Sequence, residues 1–239
     1  MATGLVRVAS PSVTMRRPLS VLDLGTVPYG EALEAQRDLV GRRRAGEVSD
    51  TLMLLEHPHV ITLGSSADAA HVLVDEVERA RRGIELFDVG RGGDVTYHGP
   101  GQLVAYPILD LKPDRKDLHR YLRDLEDVLA GVARDFGVAA TRSESGTGVW
   151  TELGKLAAIG VRVSSGWITS HGVALNVTSD LSYFQTIVPC GIRDRTVTSL
   201  ARELGSAPEA ALVRTAFVRN FARVFGHDIP VGWTTVKTG

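Results

Sequence analysis

Hydrophobic residues recur along the chain at periods that mark different secondary structures. Over residues 118–136, apolar side chains repeat every three or four positions, which predicts an amphipathic helix. Gly137 follows where a left-handed C-terminal cap is expected. A second stripe over residues 212–225 predicts a C-terminal helix. Residues 206–209 have the pattern of a capping box for that helix, with Pro208 inside its first turn.

Short apolar runs bounded by Gly, Ser or Pro predict β-strands between these helices. Residues 1–18 lack periodicity and predict a flexible leader, whereas residues 19–226 predict one ordered domain and residues 227–239 a C-terminal tail. Strands and helices that follow one another without a repeat or linker predict a single α+β domain. The predicted strands cover residues 19–24, 51–56, 60–63, 102–108, 156–163 and 171–177, and a further helix covers residues 31–44.

Composition places the chain among ordinary globular proteins. Its 239 residues are 44% hydrophobic and 23% charged, and the formal net charge of -1 gives no overall attraction to nucleic acid or a membrane surface. No apolar run approaches the roughly 18 residues that a bilayer span requires, and the N-terminal residues lack the apolar core of a secretory signal. The single cysteine excludes an intrachain disulfide, so a reducing, cytoplasmic location is expected.

The single cysteine lies in a sequence that favours a sharp turn. Pro189 and Gly191 flank Cys190, and both residue types are frequent in turns. A free thiol at this position is either a small buried hydrophobic group or a displayed nucleophile. Free cysteine is among the residues most often buried, so the turn alone leaves both interpretations open.

A glycine-rich stretch between two apolar strands is a second candidate functional segment. Residues 91–102 contain four glycines together with Arg91, Thr96, Tyr97 and His98. They match neither the dinucleotide-binding fingerprint nor the phosphate-binding loop that ends in Gly-Lys-Ser/Thr. One interpretation is a β-hairpin whose glycines adopt positive φ. The other is a binding loop, because many hydrogen-bonding side chains crowd into one short segment.

A lysine near the start of a small-residue strand is the third candidate. Lys155 precedes Ala157, Ala158 and Gly160, whose small side chains leave volume that a ligand can occupy. The alternative is an ammonium group that reaches solvent from the end of the strand. His171 opens the next apolar strand, and a lone histidine is more often a structural group than a catalyst.

These segments together resemble the lipoyl(octanoyl) transferase family of lipoate biosynthesis. Residues 91–106 look like the signature of that family, and the strand at Lys155 looks like its catalytic-lysine strand. Residues 171–176 resemble its second acyl-contacting strand, and residues 189–192 its catalytic-cysteine turn. The resemblance extends over residues 19–204. It implies a mixed or antiparallel β-sheet flanked by helices, similar to the catalytic fold of lipoate and biotin protein ligases.

The resemblance implies an acyltransferase that moves an octanoyl group from octanoyl-acyl carrier protein to a lysine of apo lipoyl domains, through a thioester on Cys190. The implied acceptors are lipoyl domains of 2-oxoacid dehydrogenases and the glycine cleavage H protein; no cofactor, metal, nucleic acid or membrane is implied. Lys155 is the second implied catalytic residue, because a nearby ammonium favours the thiolate of a cysteine. The implied substrate-binding residues are Arg91, Gly92, Gly93, Asp94, Val95, Thr96, Tyr97, His98, Ala158, Ile159, Gly160, His171, Gly172 and Val173.

Two other functions remain compatible with the same residues. An ATP-dependent lipoate or biotin protein ligase joins a free acid to the same kind of lysine without needing Cys190. A non-catalytic acyl-binding module uses the glycine-rich pocket while Cys190 and Lys155 only pack. Arginines at 193 and 195 and at 42–44 are candidate contacts for an acidic carrier protein, with a solvated surface as the alternative for both clusters.

Overall fold

Two β-sheets and five α-helices form the fold of the residues that the structure describes. The structure is a computed structural model that describes residues 16–143, 146–188 and 196–233. The predicted turn at Cys190 and most of the predicted leader lie outside these ranges. The strands are β1 (Leu19–Thr26), β2 (Asp50–Glu56), β3 (Val60–Leu63), β4 (Glu85–Asp88), β5 (Val95–His98), β6 (Gln102–Ile108), β7 (Thr141–Ser143), β8 (Gly146–Thr151), β9 (Gly154–Val163) and β10 (Thr169–Asn176). The helices are α1 (Tyr29–Ala45), α2 (Glu76–Arg81), α3 (Leu118–Asp135), α4 (Leu200–Leu204) and α5 (Ala210–Phe225), and short 3-10 helices cover Ala69–His71 and Leu181–Thr186.

Both sheets mix parallel and antiparallel strands. The large sheet has the strand order β1-β2-β6-β10-β9-β8-β7, and the small sheet has the order β4-β3-β5. In the large sheet β1 is parallel to β2, whereas all the other neighbouring strands are antiparallel. In the small sheet β3 is parallel to β4 and antiparallel to β5.

Each face of the large sheet carries a layer of apolar side chains. On one face, α3 and α5 bury residues such as Leu125 and Phe217 against Leu54 of β2. On the other face, α1 packs Ala32 against Met53 of β2. Successive residues of a strand point to opposite faces, which is why Met53 and Leu54 belong to different layers. Helices on both faces of a mixed sheet confirm the predicted α+β class.

Helix α3 ends as its sequence predicts. Gly137 has a φ of 77°, and its N–H group donates to the carbonyl oxygen of Arg134. The N–H group of Val138 reaches back to the carbonyl oxygen of Ala133. These bonds satisfy carbonyl groups that the end of a helix leaves without partners, and glycine adopts the required positive φ without strain.

One prediction from local signals was wrong, and one of two open interpretations is excluded. Helix α5 begins at Ala210 with Glu209 as its N-cap, and no side chain caps it, so residues 206–208 precede the helix. Gly205 ends α4 with a φ of 71°, and the following residues turn the chain between the two helices. The hairpin interpretation of residues 91–102 also fails, because β5 pairs with β3 whereas β6 pairs with β2 and β10.

The N-terminal and C-terminal parts of the described chain meet around a buried carboxylate. Arg17 and His227, which fall within the predicted leader and tail, form an isolated parallel bridge. Asp50 is 2% exposed and accepts a hydrogen bond of 2.8 Å from Arg43 Nε. Arg43 is therefore held in an ion pair within the fold, and of the cluster 42–44 it is a poor candidate for contacting a partner protein.

Candidate active site

A cavity of about 150 Å³ lies where the large sheet faces the glycine-rich stretch and the start of α1. All the predicted substrate-binding residues except Tyr97 line this cavity, and so does Lys155. The structure thus brings together residues 91–98, β9 and β10, three segments that are distant in the sequence. It unites the second and third candidate segments of the sequence in one site.

The floor of the cavity is made from small residues on β9 and β10. Ala158 pairs with Ala174, and Gly160 pairs with Gly172. Residues that oppose each other in an antiparallel pair share a face of the sheet, so these four positions form one patch. Ala158 and Ala174 leave space above the sheet, whereas Arg91 packs over Gly160, where a Cβ would lie 2.9 Å from Arg91 Cδ. The patch is therefore a groove suited to an apolar chain, and Arg91 covers it at Gly160.

Arg91 ties the wall of the cavity to the small sheet. Its side chain is only 6% exposed, and its guanidinium donates to the carbonyl oxygen of Thr62 at 2.7 Å and to the Thr62 hydroxyl. The next residue, Gly92, donates its N–H to the carbonyl oxygen of Val161 in β9 at 2.9 Å. The glycine-rich stretch is therefore fixed to both sheets at neighbouring positions.

A chain of buried hydrogen bonds crosses the cavity floor. His98 Nδ1 and Gln102 Oε1 lie 2.7 Å apart, and Gln102 Nε2 donates to Asn176 Oδ1 at 2.9 Å. Asn176 Nδ2 then donates to the carbonyl oxygen of Thr198 at 2.9 Å. The N–H of Thr198 donates to the carbonyl oxygen of Lys155 at 3.0 Å. The chain thus connects the glycine-rich stretch to the strand that carries the lysine.

Burial keeps two histidines of the cavity neutral. It lowers the pKa of His98 to about 3 and that of His171 to about 4, and the charge of Arg91 contributes to both shifts. Gln102 Oε1 is an acceptor, so neutral His98 carries its proton on Nδ1. Both rings are therefore poor proton acceptors near neutral pH.

His171 has an unusual backbone conformation at the inner part of the cavity. Its φ is 54°, a value that residues with a side chain rarely adopt. Its N–H donates to Gln36 Oε1 of α1 at 2.7 Å, which holds the conformation in place. Strained residues of this kind occur often at functional sites, and this one lies on the cavity wall.

Lys155 is positioned by its neighbours on two sides. Its N–H donates to the carbonyl oxygen of Thr196 at 2.9 Å, and its backbone forms a parallel bridge with Val197. Its Nζ lies 5.2 Å from the centre of the Trp150 ring, within the range of a cation–π interaction. A Cβ at Gly148 would lie 2.9 Å from Lys155 Cε, so glycine there leaves room for the lysine side chain.

Described residues on both sides of the predicted cysteine turn are held near this site. Val188 precedes the turn and donates its N–H to the carbonyl oxygen of His71 at 2.8 Å. Thr196 follows the turn and accepts the hydrogen bond from Lys155. Pro189, Cys190 and Gly191 themselves lie outside the described residues, as do the arginines at 193 and 195. The pairing of Cys190 with Lys155 therefore stays a prediction.

Tyr97 is the predicted substrate-binding residue that does not line the cavity. Its hydroxyl shares a hydrogen bond of 2.7 Å with His59 Nδ1. Its ring stacks on Tyr183, with ring centres 5.3 Å apart, and meets the edge of Phe184. The neighbouring residue His98 does line the cavity, because adjacent residues of β5 point to opposite faces.

The cavity also contains residues that were not among the predicted substrate-binding residues. Gln102 and Asn176 carried a usable signal, since each is a polar residue in an otherwise apolar strand. Tyr29, at the start of α1, had the pattern of an ordinary core residue. Three more lining residues, Tyr106, Ala157 and Ala174, lie in the segments that resemble the family. The remaining lining residues are Thr147, Phe184 and Val197.

Two kinds of feature were not found in the part of the chain that the structure describes. Among these residues, no group of three or more His, Cys, Asp or Glu side chains is placed to hold a metal ion. None of the described helices combines the length and the apolar character that crossing a bilayer requires.

Sequence comparison with known proteins identifies relatives over most of the chain. Residues 28–222 match the family described as the lipoyl protein ligase A/B catalytic domain. The chain is 52% identical over 203 residues to an octanoyltransferase of Rubrobacter xylanophilus, covering 84% of this chain and 91% of that protein. It is 48% identical over 226 residues to an octanoyltransferase of Acidobacterium capsulatum, covering 88% of this chain and 92% of that protein.

A solved structure shares the fold at much lower sequence identity. A putative lipoate protein ligase from T. acidophilum with bound lipoic acid has a TM-score of 0.67 and 17% identity, covering 90% of this chain and 88% of that chain. At this identity the likeness shows the fold alone, and it confirms the predicted ligase-type catalytic fold. The sequence matches go further, and they show that the chain belongs to the octanoyltransferases of the lipoyl protein ligase A/B catalytic domain family.

Proposed function

We propose that this chain transfers an octanoyl group from octanoyl-acyl carrier protein to the target lysine of an apo lipoyl domain, through a thioester on Cys190. The observation that carries the proposal is the groove of small residues that begins beside Lys155 and runs along β9 and β10. Such a groove suits an unbranched acyl chain. The relatives named octanoyltransferase support octanoyl as that chain.

The groove binds the acyl chain by removing it from water. About seven methylene-type groups at roughly 0.8 kcal/mol each contribute about 5–6 kcal/mol before the cost of ordering the chain. That contribution gives only weak binding once ordering costs are subtracted. Contacts with the carrier protein must therefore add to the affinity, which favours a protein-bound acyl donor over a free fatty acid.

In the first half-reaction, the Cys190 thiolate attacks the carbonyl carbon of the carrier-bound thioester. A bond forms between Cys190 Sγ and that carbon while the bond to the phosphopantetheine sulfur breaks. The ammonium of Lys155 gives a proton to the departing sulfur and becomes a neutral amine. The products are an octanoyl-enzyme and a carrier protein with a free thiol.

In the second half-reaction, the neutral amine of a lipoyl-domain lysine attacks the carbonyl carbon of the octanoyl-enzyme. An amide bond forms and the bond to Cys190 Sγ breaks, which returns the cysteine as a thiolate. The proton that the attacking nitrogen loses passes to Lys155, which becomes an ammonium again. The cycle thus restores both catalytic residues, and the order of events predicts ping-pong kinetics.

In this proposal two partner proteins bind to the same site one after the other. The donor is octanoyl-acyl carrier protein, and the acceptors are lipoyl domains of 2-oxoacid dehydrogenases and the glycine cleavage H protein. Because the acyl-enzyme keeps the octanoyl group between the two binding events, the two proteins need not bind at the same time. A chain with one cysteine that serves such partners is proposed to act in the cytoplasm.

Intact-mass spectrometry tests the proposal in two stages. Wild-type protein incubated with octanoyl-acyl carrier protein should gain one octanoyl group, and Cys190→Ala should gain none. Added apo lipoyl domain should then remove the group from the wild-type protein and carry it on its lysine. Absence of an adduct on the wild-type protein, or an equal adduct on Cys190→Ala, would contradict the proposal.

The same assay distinguishes an ATP-dependent ligase. A ligase would modify the lipoyl domain with free octanoate and ATP, and it would retain that activity in Cys190→Ala. We expect no modification under those conditions from either protein. A non-catalytic binding module would gain no covalent group with any donor.

A further inference from the structure

We propose that Tyr106, held in place by His57, closes the inner end of the cavity and sets the length of the acyl chain that the protein accepts. This inference rests on the proposed function, because it assigns the acyl tail to the groove that begins at Lys155. It concerns a residue of the floor and its support, neither of which takes part in acyl transfer.

Strand register gives the order of side chains along the cavity floor. Asn176 and Gln102 form the row on the side of Lys155, and a row of small or aliphatic residues follows. In the innermost row Gly172 pairs with Gly160. Tyr106 belongs to this row because β6 and β10 are antiparallel: Ala105 pairs with Val173, and Tyr106 is the next residue toward Gly172. From mouth to inner end, the rows are Gln102 with Asn176, then Val104 with Ala174 and Ala158, then Tyr106 with Gly172 and Gly160.

The innermost row is far enough from Lys155 to meet the tail of an acyl chain. Lys155 and Gly160 are five residues apart on β9. A regular strand advances about 3.3 Å per residue, so about 16 Å is the upper limit of their separation, and the irregular register at Lys155 shortens it. Gly160 of that row makes room for the Arg91 side chain, since a Cβ there would lie 2.9 Å from Arg91 Cδ, and a Cβ at Gly172 would meet the carbonyl oxygen of Ala105. Arg91 covers the row from above, and Tyr106 supplies the large side chain that stands on the sheet itself; Tyr106 lines the cavity while only 3% exposed.

A buried hydrogen bond fixes the Tyr106 ring. Its hydroxyl lies 2.7 Å from His57 Nε2, and His57 Nδ1 lies 2.7 Å from the carbonyl oxygen of Val27. A carbonyl oxygen only accepts, so the His57 proton lies on Nδ1 and the Tyr106 hydroxyl donates to Nε2. Burial lowers the pKa of His57 to about 4, which keeps this neutral form at neutral pH.

Aromatic neighbours prevent the ring from moving aside. The Tyr29 ring lies 5.1 Å from the His57 ring, and the His171 ring meets the edge of Tyr106 at 6.5 Å. A longer acyl chain must therefore displace Tyr106 and break its bond to a histidine that is itself 0% exposed. A shorter chain leaves the innermost row without contact and binds less well.

Acyl-chain competition tests the inference. Wild-type protein, Tyr106→Ala and Tyr106→Leu are each incubated with an equal mixture of octanoyl-, decanoyl- and dodecanoyl-acyl carrier protein, and the adducts are separated by intact mass. We expect wild-type protein to favour octanoyl. Both variants should raise the ratio of dodecanoyl to octanoyl adduct at least tenfold. If Tyr106→Ala does not fold, the ratio measured with Tyr106→Leu tests the inference.

Phe184→Ala is the matched control. Phe184 also lines the cavity, but it shares a neighbouring depression with Val188 and Val197, close to Lys155 and the mouth. Removing this aromatic ring should leave the chain-length ratio at the wild-type value. The inference is overturned if folded Tyr106 variants keep the wild-type ratio, or if Phe184→Ala shifts the ratio equally. Absence of any adduct on wild-type protein would instead refute the proposed function.

Discussion

Replacing Asn176 by alanine removes the centre of the hydrogen-bond chain that joins the cavity floor to residues 196–198. Asn176 is 4% exposed and bonds both to Gln102 Nε2 and to the carbonyl oxygen of Thr198 at 2.9 Å. Each buried group that loses its partner costs about 1–3 kcal/mol, so the two together cost about 2–6 kcal/mol. Because Asn176 borders the cavity, water can reach both groups, and we expect a loss near 2 kcal/mol.

Urea unfolding followed by circular dichroism measures this loss. Asn220→Ala is the matched control, because Asn220 is 5% exposed and donates to Asp135 Oδ2 at 2.7 Å and to the carbonyl oxygen of Ala216 at 2.9 Å. It lies in α5, on the face of the sheet opposite the cavity. We expect both variants to lose stability by similar amounts.

Octanoyl transfer separates the two variants. Asn176→Ala should slow transfer about tenfold at a temperature where both proteins are folded, because Thr198 no longer holds the backbone at Lys155 in place. Asn220→Ala should transfer at the wild-type rate. A stability loss below about 0.5 kcal/mol for Asn176→Ala, the range of ordinary surface substitutions, or transfer equal to that of Asn220→Ala, would refute the proposed role of the hydrogen-bond chain.

Three further predictions concern the same site. Gly148→Ala places a Cβ 2.5 Å from a main-chain oxygen of β9 and 2.9 Å from Lys155 Cε, so single-turnover acylation should slow at least tenfold. The control is Gly137→Ala, whose Cβ meets no atom within 4 Å and which should acylate normally. Trp150→Leu removes a cation–π contact worth about 0.5–2 kcal/mol and should slow acylation several-fold, and an unchanged rate would exclude that support for Lys155. The free energy of unfolding should fall as pH is lowered from about 6.5 to about 4, because burial lowers the pKa of folded His57 from 6.5 to about 4 and the unfolded chain binds the proton first. In urea titrations His57→Asn should reduce this slope by about 1.4 kcal/mol per pH unit, and an unchanged slope would contradict a neutral buried His57.

Long elements with a strong apolar pattern could be predicted from the sequence almost to the residue. Helix α3 spans Leu118–Asp135, one residue shorter than its predicted stripe. Short elements with exposed residues, such as β4 and β7, were missed because half-exposed strands show no clear alternation. The separation of β5 and β6 into different sheets was also unpredictable, because long-range packing rather than local sequence decides which strands pair.

The candidate site was predictable where chemistry and local sequence coincide. The glycine-rich stretch and Lys155 combine polar groups with small neighbours, and both line the cavity. Tyr97 shows the limit of that reasoning, since its position in a functional segment does not tell which face of β5 it occupies. Tyr106 lies in the segment that resembles the family signature, but its position in the cavity was not predictable, because it depends on strand register and on a histidine far away in the sequence.

The most direct test of the proposed chemistry is the pH dependence of Cys190 alkylation in wild-type protein and in Lys155→Gln. If the Lys155 ammonium stabilises the Cys190 thiolate, the thiol of wild-type protein should titrate below the ordinary value of about 8.5. In Lys155→Gln the midpoint should rise toward that value, and octanoyl transfer should be lost. An unchanged midpoint together with full transfer in Lys155→Gln would contradict the mechanism.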